Sequence, residues 1–266
     1  MKYFFEEWEK LREALSDKFI FLFLDYDGTL TPLVDNPQDA DLSLESRELL
    51  RRLKDNSRCK IAITSGRKLE DLKKRVGLEG VLYVGNHGLE IEGTKINFKS
   101  PLSLHYLKTL QEIKKDLGTN IISAVRGAFI EDKGLALTLH YRLVDKKDIP
   151  RLKDLFRQAM IAYMAKDKIC LKDAKMAFEI RPPVRWDKGK VAIWLLARQH
   201  FMLQEKINII PLYIGDDVTD EDAFKALKNK GITVRVDGGA GSSAKYFVKD
   251  TSEVFRLLEE IGKVLA

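Results

Sequence analysis

Three short apolar runs, each stopped by a carboxylate or a hydroxyl, constrain this chain more than any other feature. Phe19-Ile20-Phe21-Leu22-Phe23-Leu24 ends at Asp25 and Cys59-Lys60-Ile61-Ala62-Ile63-Thr64 ends at Ser65. Ile209-Ile210-Pro211-Leu212-Tyr213-Ile214 passes through Gly215 to Asp216. Runs this short suit strands buried on both faces, as in a parallel sheet. Val81-Leu82-Tyr83-Val84 reads as a further strand. Helical patterns lie between them. One follows the N-cap candidate Ser43, with Ser46, Leu49, Leu50 and Leu53 on its inner side; another covers roughly residues 68–76. A third opens at Trp186-Asp187-Lys188-Gly189-Lys190 and runs through Arg198, and an amphipathic helix over 5–17 carries Phe5, Trp8, Leu11 and Leu15. The β-α-β-α-β alternation predicts an α/β fold, a parallel sheet with helices packed on its faces.

The pattern changes after Ser100-Pro101. A helix from Leu104 to about Leu117 leads to two strand-like segments, 121–131 and 135–142, joined by a hairpin turn at Asp132-Lys133-Gly134. A second helix over 148–165 precedes an extended stretch, 169–181. Helix-strand-strand-helix-strand predicts an antiparallel α+β unit. Because the parallel pattern resumes afterwards, this unit is an insertion, with boundaries near Pro101 and Pro182-Pro183. Residues 1–100 and 184–266 are then expected to form one domain and 101–183 the inserted one.

Other classes find little support. None of the apolar runs approaches the length needed to cross a bilayer. Glu6, Glu7 and Glu9 stand where a signal peptide needs an uncharged core, so a cytoplasmic location is expected. The two cysteines, Cys59 and Cys170, make neither a disulfide framework nor a cysteine metal site, and both read as small buried side chains. The net charge of +6 comes from cations interleaved with acids, which describes a solvated surface and not a nucleic-acid footprint. A mildly positive field still favours an anionic ligand. The glycine-rich run Gly238-Gly239-Ala240-Gly241 lacks the strand-to-helix context of a dinucleotide loop and reads as a mobile connection.

In an open parallel sheet, ligands bind beyond the carboxyl ends of the strands, so Asp25, Ser65 and Asp216 are expected to converge on one crevice. Asp25 and Asp27 would point to opposite sides if the strand continued. Gly28 lets the chain turn, so that both carboxylates can face one pocket. With Asp216 they would make an all-oxygen site for a hard cation such as Mg²⁺. The plainer reading, that aspartates simply stop strands, explains one such residue better than the whole set.

Four ordered stretches resemble the motifs of the haloacid dehalogenase-like phosphatases: Asp25-Tyr26-Asp27-Gly28-Thr29-Leu30, Ser65-Gly66-Arg67, Asp187-Lys188-Gly189 and Gly215-Asp216-Asp217-Val218-Thr219-Asp220. The trehalose-6-phosphate phosphatases are closer still, through Gly85-Asn86-His87-Gly88, Glu131-Asp132-Lys133, Glu179-Ile180-Arg181-Pro182 and the extension of the last motif to Phe224. The resemblance runs from about residue 20 to the end. It implies a Rossmann-like parallel-sheet core whose inserted α+β domain is a substrate-selecting cap. It further implies Asp25 as nucleophile, Asp27 as general acid and base, and Ser65 and Lys188 as phosphoryl contacts. Mg²⁺ would be held by Asp25, the Asp27 backbone carbonyl and Asp216. Asp217 and Asp220 would bind that metal through water or cap the helix near Thr219. Glu131, Lys133, Glu179 and Arg142 would contact the sugar. Arg67 would touch phosphate or pair with a neighbouring acid, and His87 would touch ligand or serve its loop.

The implied reaction is hydrolysis of trehalose 6-phosphate in trehalose biosynthesis. Phosphatases for sucrose phosphate, mannosyl-phosphoglycerate or glucosylglycerol phosphate, and a phosphosugar mutase, share the core motifs. A regulatory domain without activity would not need Asp25, Asp27, Lys188 and Asp216 together. The expected ligand is a small sugar phosphate, with no nucleic acid and no membrane, and a trehalose-6-phosphate synthase is the candidate protein partner.

Overall fold

The computed structural model describes every residue except 35, 36, 101–103, 175, 185, 205, 206 and 240. Pro101 and Ala240, which figure in the readings above, therefore lie outside the described residues. In chain order the elements are β1 (Lys2–Tyr3), α1 (Trp8–Leu15), β2 (Phe19–Asp25), α2 (Leu44–Asp55), β3 (Cys59–Thr64), α3 (Leu69–Val76), β4 (Leu82–Gly85), β5 (Glu90–Gly93) and β6 (Ile96–Lys99). Then come α4 (Leu104–Leu117), β7 (Phe129–Asp132), β8 (Leu137–His140), α5 (Ile149–Met164), β9 (Cys170–Ala174) and β10 (Ala177–Arg181). The last are α6 (Lys188–Met202), β11 (Ile209–Gly215), α7 (Glu221–Leu227), β12 (Ile232–Val236), β13 (Tyr246–Val248) and α8 (Thr251–Leu265). The chain divides into two compact units, Met1–Lys99 with Trp186–Ala266, and Ser100–Arg185.

The larger unit is built on a nine-stranded sheet in the order β1-β13-β12-β11-β2-β3-β4-β5-β6. Its strands pair in parallel from β1 to β4 and antiparallel through β5 and β6. Every residue of β2 is buried, as its unbroken apolar run requires of a central strand. Alternation along the strands sorts the two faces. Leu22, Leu24, Ile61 and Ile63 pack with Leu50 of α2, Leu72 of α3 and Leu257 of α8. Phe21, Phe23, Ala62 and Tyr213 pack with Val191 and Leu195 of α6 and Phe224 of α7.

The expected helices are present with shifted ends. The first begins only at Trp8, after a 3-10 turn over Phe4–Glu6. Ser43 caps α2 by accepting the Ser46 amide at 3.1 Å, and α6 continues to Met202 from its Asp187 cap. Cys59 is buried, but Cys170 is partly exposed, contrary to expectation, because it sits on the edge strand of the smaller unit's sheet.

In that smaller unit a four-stranded antiparallel sheet, β7-β8-β10-β9, packs one face on α4 and α5. Leu137, Leu139 and Ile180 meet Ile113, Leu117, Leu152 and Phe156 there. Two sequence expectations need correction. Ile121 does not begin a strand: it lies in a wide turn over Gly118–Ile122 and is buried among the helices, so the strand starts at Phe129. The stretch 169–181 is two strands, paired Ala174 with Ala177. Among the described residues no helix is long and apolar enough to cross a membrane.

Candidate active site

Strand register decides which side chains meet. Asp25 pairs with Thr64 across β2 and β3, and Phe23 pairs with Tyr213 across β2 and β11. Asp25, Thr64 and Tyr213 therefore project to the same face of the sheet, the one that α6 covers. Lys188 is the first residue of α6 and points into that layer. Its Nζ donates to Asp25 Oδ1 at 2.6 Å and to Asp220 Oδ1 at 2.7 Å. All three are buried, with Asp25 and Lys188 each 4% exposed and Asp220 fully enclosed.

Burial pushes the Asp25 carboxyl well above its ordinary range; Lys188 opposes the shift, and the Asp220 and Asp216 carboxylates add to it. Burial also works against the Lys188 ammonium, but Asp220 and Asp25 outweigh it and raise its pKa well above a usual lysine. Asp216, at the end of β11, is pushed up to about 7 by burial and by neighbouring Asp220. Thr29 Oγ1 donates to its Oδ1 at 3.3 Å. The turn after Asp27 closes tightly on Asp216. Gly28 has φ +86°, and a Cβ there would fall 2.2 Å from Asp216 Oδ2.

Asp25, Asp216 and Asp220 each offer a carboxylate oxygen, and these atoms lie within 4.8 Å of one another. Once all three are ionised, one ammonium leaves two negative charges in a largely buried set of oxygen donors. That donor set fits a hard divalent cation.

Asp27 is not a member of that carboxylate group. Its carboxylate lies apart from that trio and is held by Arg67, whose Nε donates to Oδ2 at 2.8 Å and whose second terminal nitrogen meets Oδ1 at 2.5 Å. Ser65 Oγ stands 3.4 Å from Asp27 Oδ2. The buried Arg67 also pairs with Asp71 at 3.0 Å and lies over the Tyr26 ring. A planar guanidinium fork matches a carboxylate, so this acid-pairing reading of Arg67 is the one the geometry displays. His87 sits in left-handed backbone at φ 55°, and its amide donates to the Ser65 carbonyl at 3.0 Å. Its ring fills the space a Gly66 side chain would need, 2.4 Å from that Cβ position. Asp217 caps the 3-10 turn over Val218–Asp220, and Asp220 Oδ2 accepts the Asp217 amide at 3.0 Å.

The face of the smaller sheet opposite α4 and α5 carries a second charged cluster. Glu131, Thr138 and Glu179 lie in one row across β7, β8 and β10. Lys133, just past β7, reaches Glu179 at 3.2 Å and Glu131 at 3.9 Å. Burial lowers the Lys133 pKa, but Glu179 and Glu131 outweigh it and leave it raised. The sequence did not single out Arg181, whose Nε donates to Glu179 Oε2 at 2.6 Å, or His140, which meets Glu131 Oε2 at 2.9 Å and stacks on Phe129. Both face the same side as Glu179 by strand alternation, a signal present once the pairing is known. Arg142 is half-buried in the turn after β8, not on the strand itself.

A central parallel sheet with acidic strand ends and a buried lysine defines a class. The same fold occurs in a haloacid dehalogenase-like hydrolase from Bacteroides thetaiotaomicron, at TM-score 0.63 and 17% identity over 93% of this chain and all of that one. A family model for trehalose-phosphatases matches residues 23–252. The chain is 35% identical over 268 residues to the probable trehalose-phosphate phosphatase D of Arabidopsis thaliana, covering 97% of this chain and 69% of that protein. The C-terminal domain of the C. albicans trehalose-6-phosphate phosphatase superposes at TM-score 0.77 with 26% identity, covering 96% of each chain. The protein belongs to the trehalose-phosphatase family.

Proposed function

We propose that this protein hydrolyses trehalose 6-phosphate to trehalose and phosphate through an aspartyl-phosphate on Asp25, with Mg²⁺ as its cofactor. Family membership supports the reaction. The observation that carries the mechanism is the buried group of Asp25, Lys188, Asp220 and Asp216 gathered at strand ends. Asp25 and Asp216, with the Asp27 backbone carbonyl, would hold the ion. When bound, Mg²⁺ supplies charge neutralisation for the phosphoryl oxygens.

This chain's own groups do the rest. A carboxylate oxygen of Asp25 attacks phosphorus, the bond from phosphorus to the sugar oxygen breaks, and Asp27 gives that oxygen a proton. In this role the Asp27 carboxylate turns from Arg67 toward the phosphoryl group. Water then attacks phosphorus, Asp27 takes its proton, and Asp25 is restored as phosphate leaves. Lys188 holds a positive charge beside Asp25 throughout, and Ser65 donates to a phosphoryl oxygen. Asp217 and Asp220 secure the loop and Lys188.

Sugar recognition falls to Glu131, Lys133, Glu179 and Arg142 of the inserted unit, whose charges form hydrogen-bonding groups for several hydroxyls. Arg67 and His87 support the Ser65 turn and complete the substrate side. The same reading places the protein in the cytoplasm, with a trehalose-6-phosphate synthase as candidate partner. The test is phosphate release from trehalose 6-phosphate, sucrose phosphate, mannosyl-phosphoglycerate and glucosylglycerol phosphate, with product analysis to expose any mutase. Trehalose 6-phosphate should rank first by kcat/KM. A clear preference for another sugar phosphate, or isomerised product without free phosphate, would refute the assignment.

A further inference from the structure

Asp220 Oδ1 accepts two hydrogen bonds, one from Lys188 at 2.7 Å and one from the Tyr213 hydroxyl at 2.7 Å. A carboxylate can only accept, so the Tyr213 proton is committed to Asp220. The Tyr213 oxygen also lies 3.3 Å from Thr64 Oγ1, and with its own proton engaged it must be the acceptor there. A continuous line of hydrogen bonds thus links Thr64 on β3, Tyr213 on β11, Asp220, Lys188 and Asp25, with Asp220 accepting from both Tyr213 and Lys188.

Every member of this line is buried. The Tyr213 ring is clamped independently: it stacks with Phe23 at 6.1 Å and 13°, and meets Phe224 edge-on at 5.7 Å. Rigid aromatic packing on a central strand gives the hydroxyl a fixed position. Asp220 ends the short 3-10 turn over Val218–Asp220 and is fully enclosed. With Lys188, Tyr213 and the Asp217 amide as partners, its carboxylate is held from three directions.

We propose that Tyr213, braced by Thr64, is a positioning residue for the phosphatase reaction: it orients Asp220, and through it aims the Lys188 ammonium at Asp25. The inference rests on the reading of Asp25 as nucleophile and extends it to residues that never touch substrate. Two of the three Lys188 N–H bonds go to Asp25 and Asp220, and fixing those two directs the third toward the transferring phosphoryl group. Without the Tyr213 hydroxyl, Asp220 would keep the Asp217 amide on Oδ2 but lose the fixed donor on Oδ1, the oxygen that receives Lys188. Preorganised charge is worth most where no reorientation is needed during reaction.

Tyr213→Phe keeps the ring and removes only the hydroxyl. The expected result is a fall in kcat of about 10- to 100-fold with KM changed by less than about twofold, because the lost bond ends on a charged group and not on substrate. Thr64→Val should lower kcat about 2- to 5-fold and Thr64→Ser should restore it, since only the second keeps the donor. A crystal structure of Tyr213→Phe should show Asp220 rotated and the Lys188 to Asp25 contact lengthened beyond about 3.5 Å. Wild-type kcat in Tyr213→Phe overturns the inference, as does an unmoved Lys188 in that crystal structure. If the wild-type protein releases no phosphate from any sugar phosphate, the phosphatase reading fails by itself, and the crystal structure still decides whether Tyr213 aims Lys188.

Discussion

Each unit holds one lysine between two carboxylates, and the two arrangements differ in tightness and charge. Lys188 sits 2.6 and 2.7 Å from Asp25 and Asp220, whereas Lys133 sits 3.2 and 3.9 Å from Glu179 and Glu131. The first cluster, counting Asp216, sets three carboxyl groups against one ammonium. The second is balanced, with Glu131 and Glu179 facing Lys133 and Arg181. An acid-rich set of oxygens suits a divalent cation, and the ammonium beside it suits a phosphoryl oxygen. A balanced, looser set suits an uncharged sugar, whose hydroxyls can replace one partner of a charge without stranding the other. Under the proposed function, chemistry would use geometry set before substrate arrives, and recognition would use contacts that can be exchanged.

The sharpest way to break this division is to remove the proposed nucleophile. Asp25→Asn should lower kcat by about 10⁴-fold or more while the far-ultraviolet circular dichroism stays unchanged. An active Asp25→Asn enzyme would end the assignment of chemistry to the larger unit. Next in size is Lys188→Met, which leaves Asp25 and Asp220 buried without their cation. It should cost about 3–5 kcal/mol in denaturant unfolding and lower kcat by about 10²- to 10³-fold. A variant with wild-type unfolding midpoint would contradict the tight buried ion pair.

Glu179→Gln tests the other cluster. Because its contacts are to be made with ground-state sugar, KM should rise about 10- to 100-fold with kcat held within a few-fold. If kcat fell instead, the division of labour would be wrong. The smallest effect concerns pH. An Asp216 carboxyl that holds its proton to about 7 when folded, and to about 3.9 when unfolded, binds more protons in the folded state across that window. Its contribution to stability is therefore present below about pH 4 and lost as pH rises toward 7. Mg²⁺ must displace that proton, so the Tm gain on adding Mg²⁺ should grow by a few degrees from pH 5 to 7.5. A gain independent of pH would take Asp216 out of the metal site.

The strand ends were legible because apolar runs buried on both faces have few alternatives, and Asp25, Ser65 and Asp216 mark where such runs stop. Lys188 was visible only as part of a motif, since its burial follows from α6 covering the sheet and not from its local sequence. The turn at Gly28 was legible, but the partner of Asp27 was not, because Arg67 arrives just after β3, forty residues later, to pair with that carboxylate. The turn between β9 and β10 was missed because Met176 at φ 56° helps to form it, and methionine is no turn signal. The β5–β6 hairpin hid among polar residues, half of them exposed on an edge strand. Tyr213 could have been suspected: a tyrosine in an otherwise apolar central strand needs a buried partner for its hydroxyl.

The place of β2 in the sheet has a consequence for biosynthesis. Its neighbours are β3, made soon after it, and β11, which begins at Ile209 after the whole inserted unit. At ~5–20 residues per second, the ribosome leaves that edge of β2 unpaired for roughly 10–40 seconds. During that interval the most hydrophobic strand of the protein offers an open edge, a site for chaperones and for aggregation alike. Asp25, at the end of that strand, is therefore made long before Asp216 and Asp220, the acids that complete its surroundings.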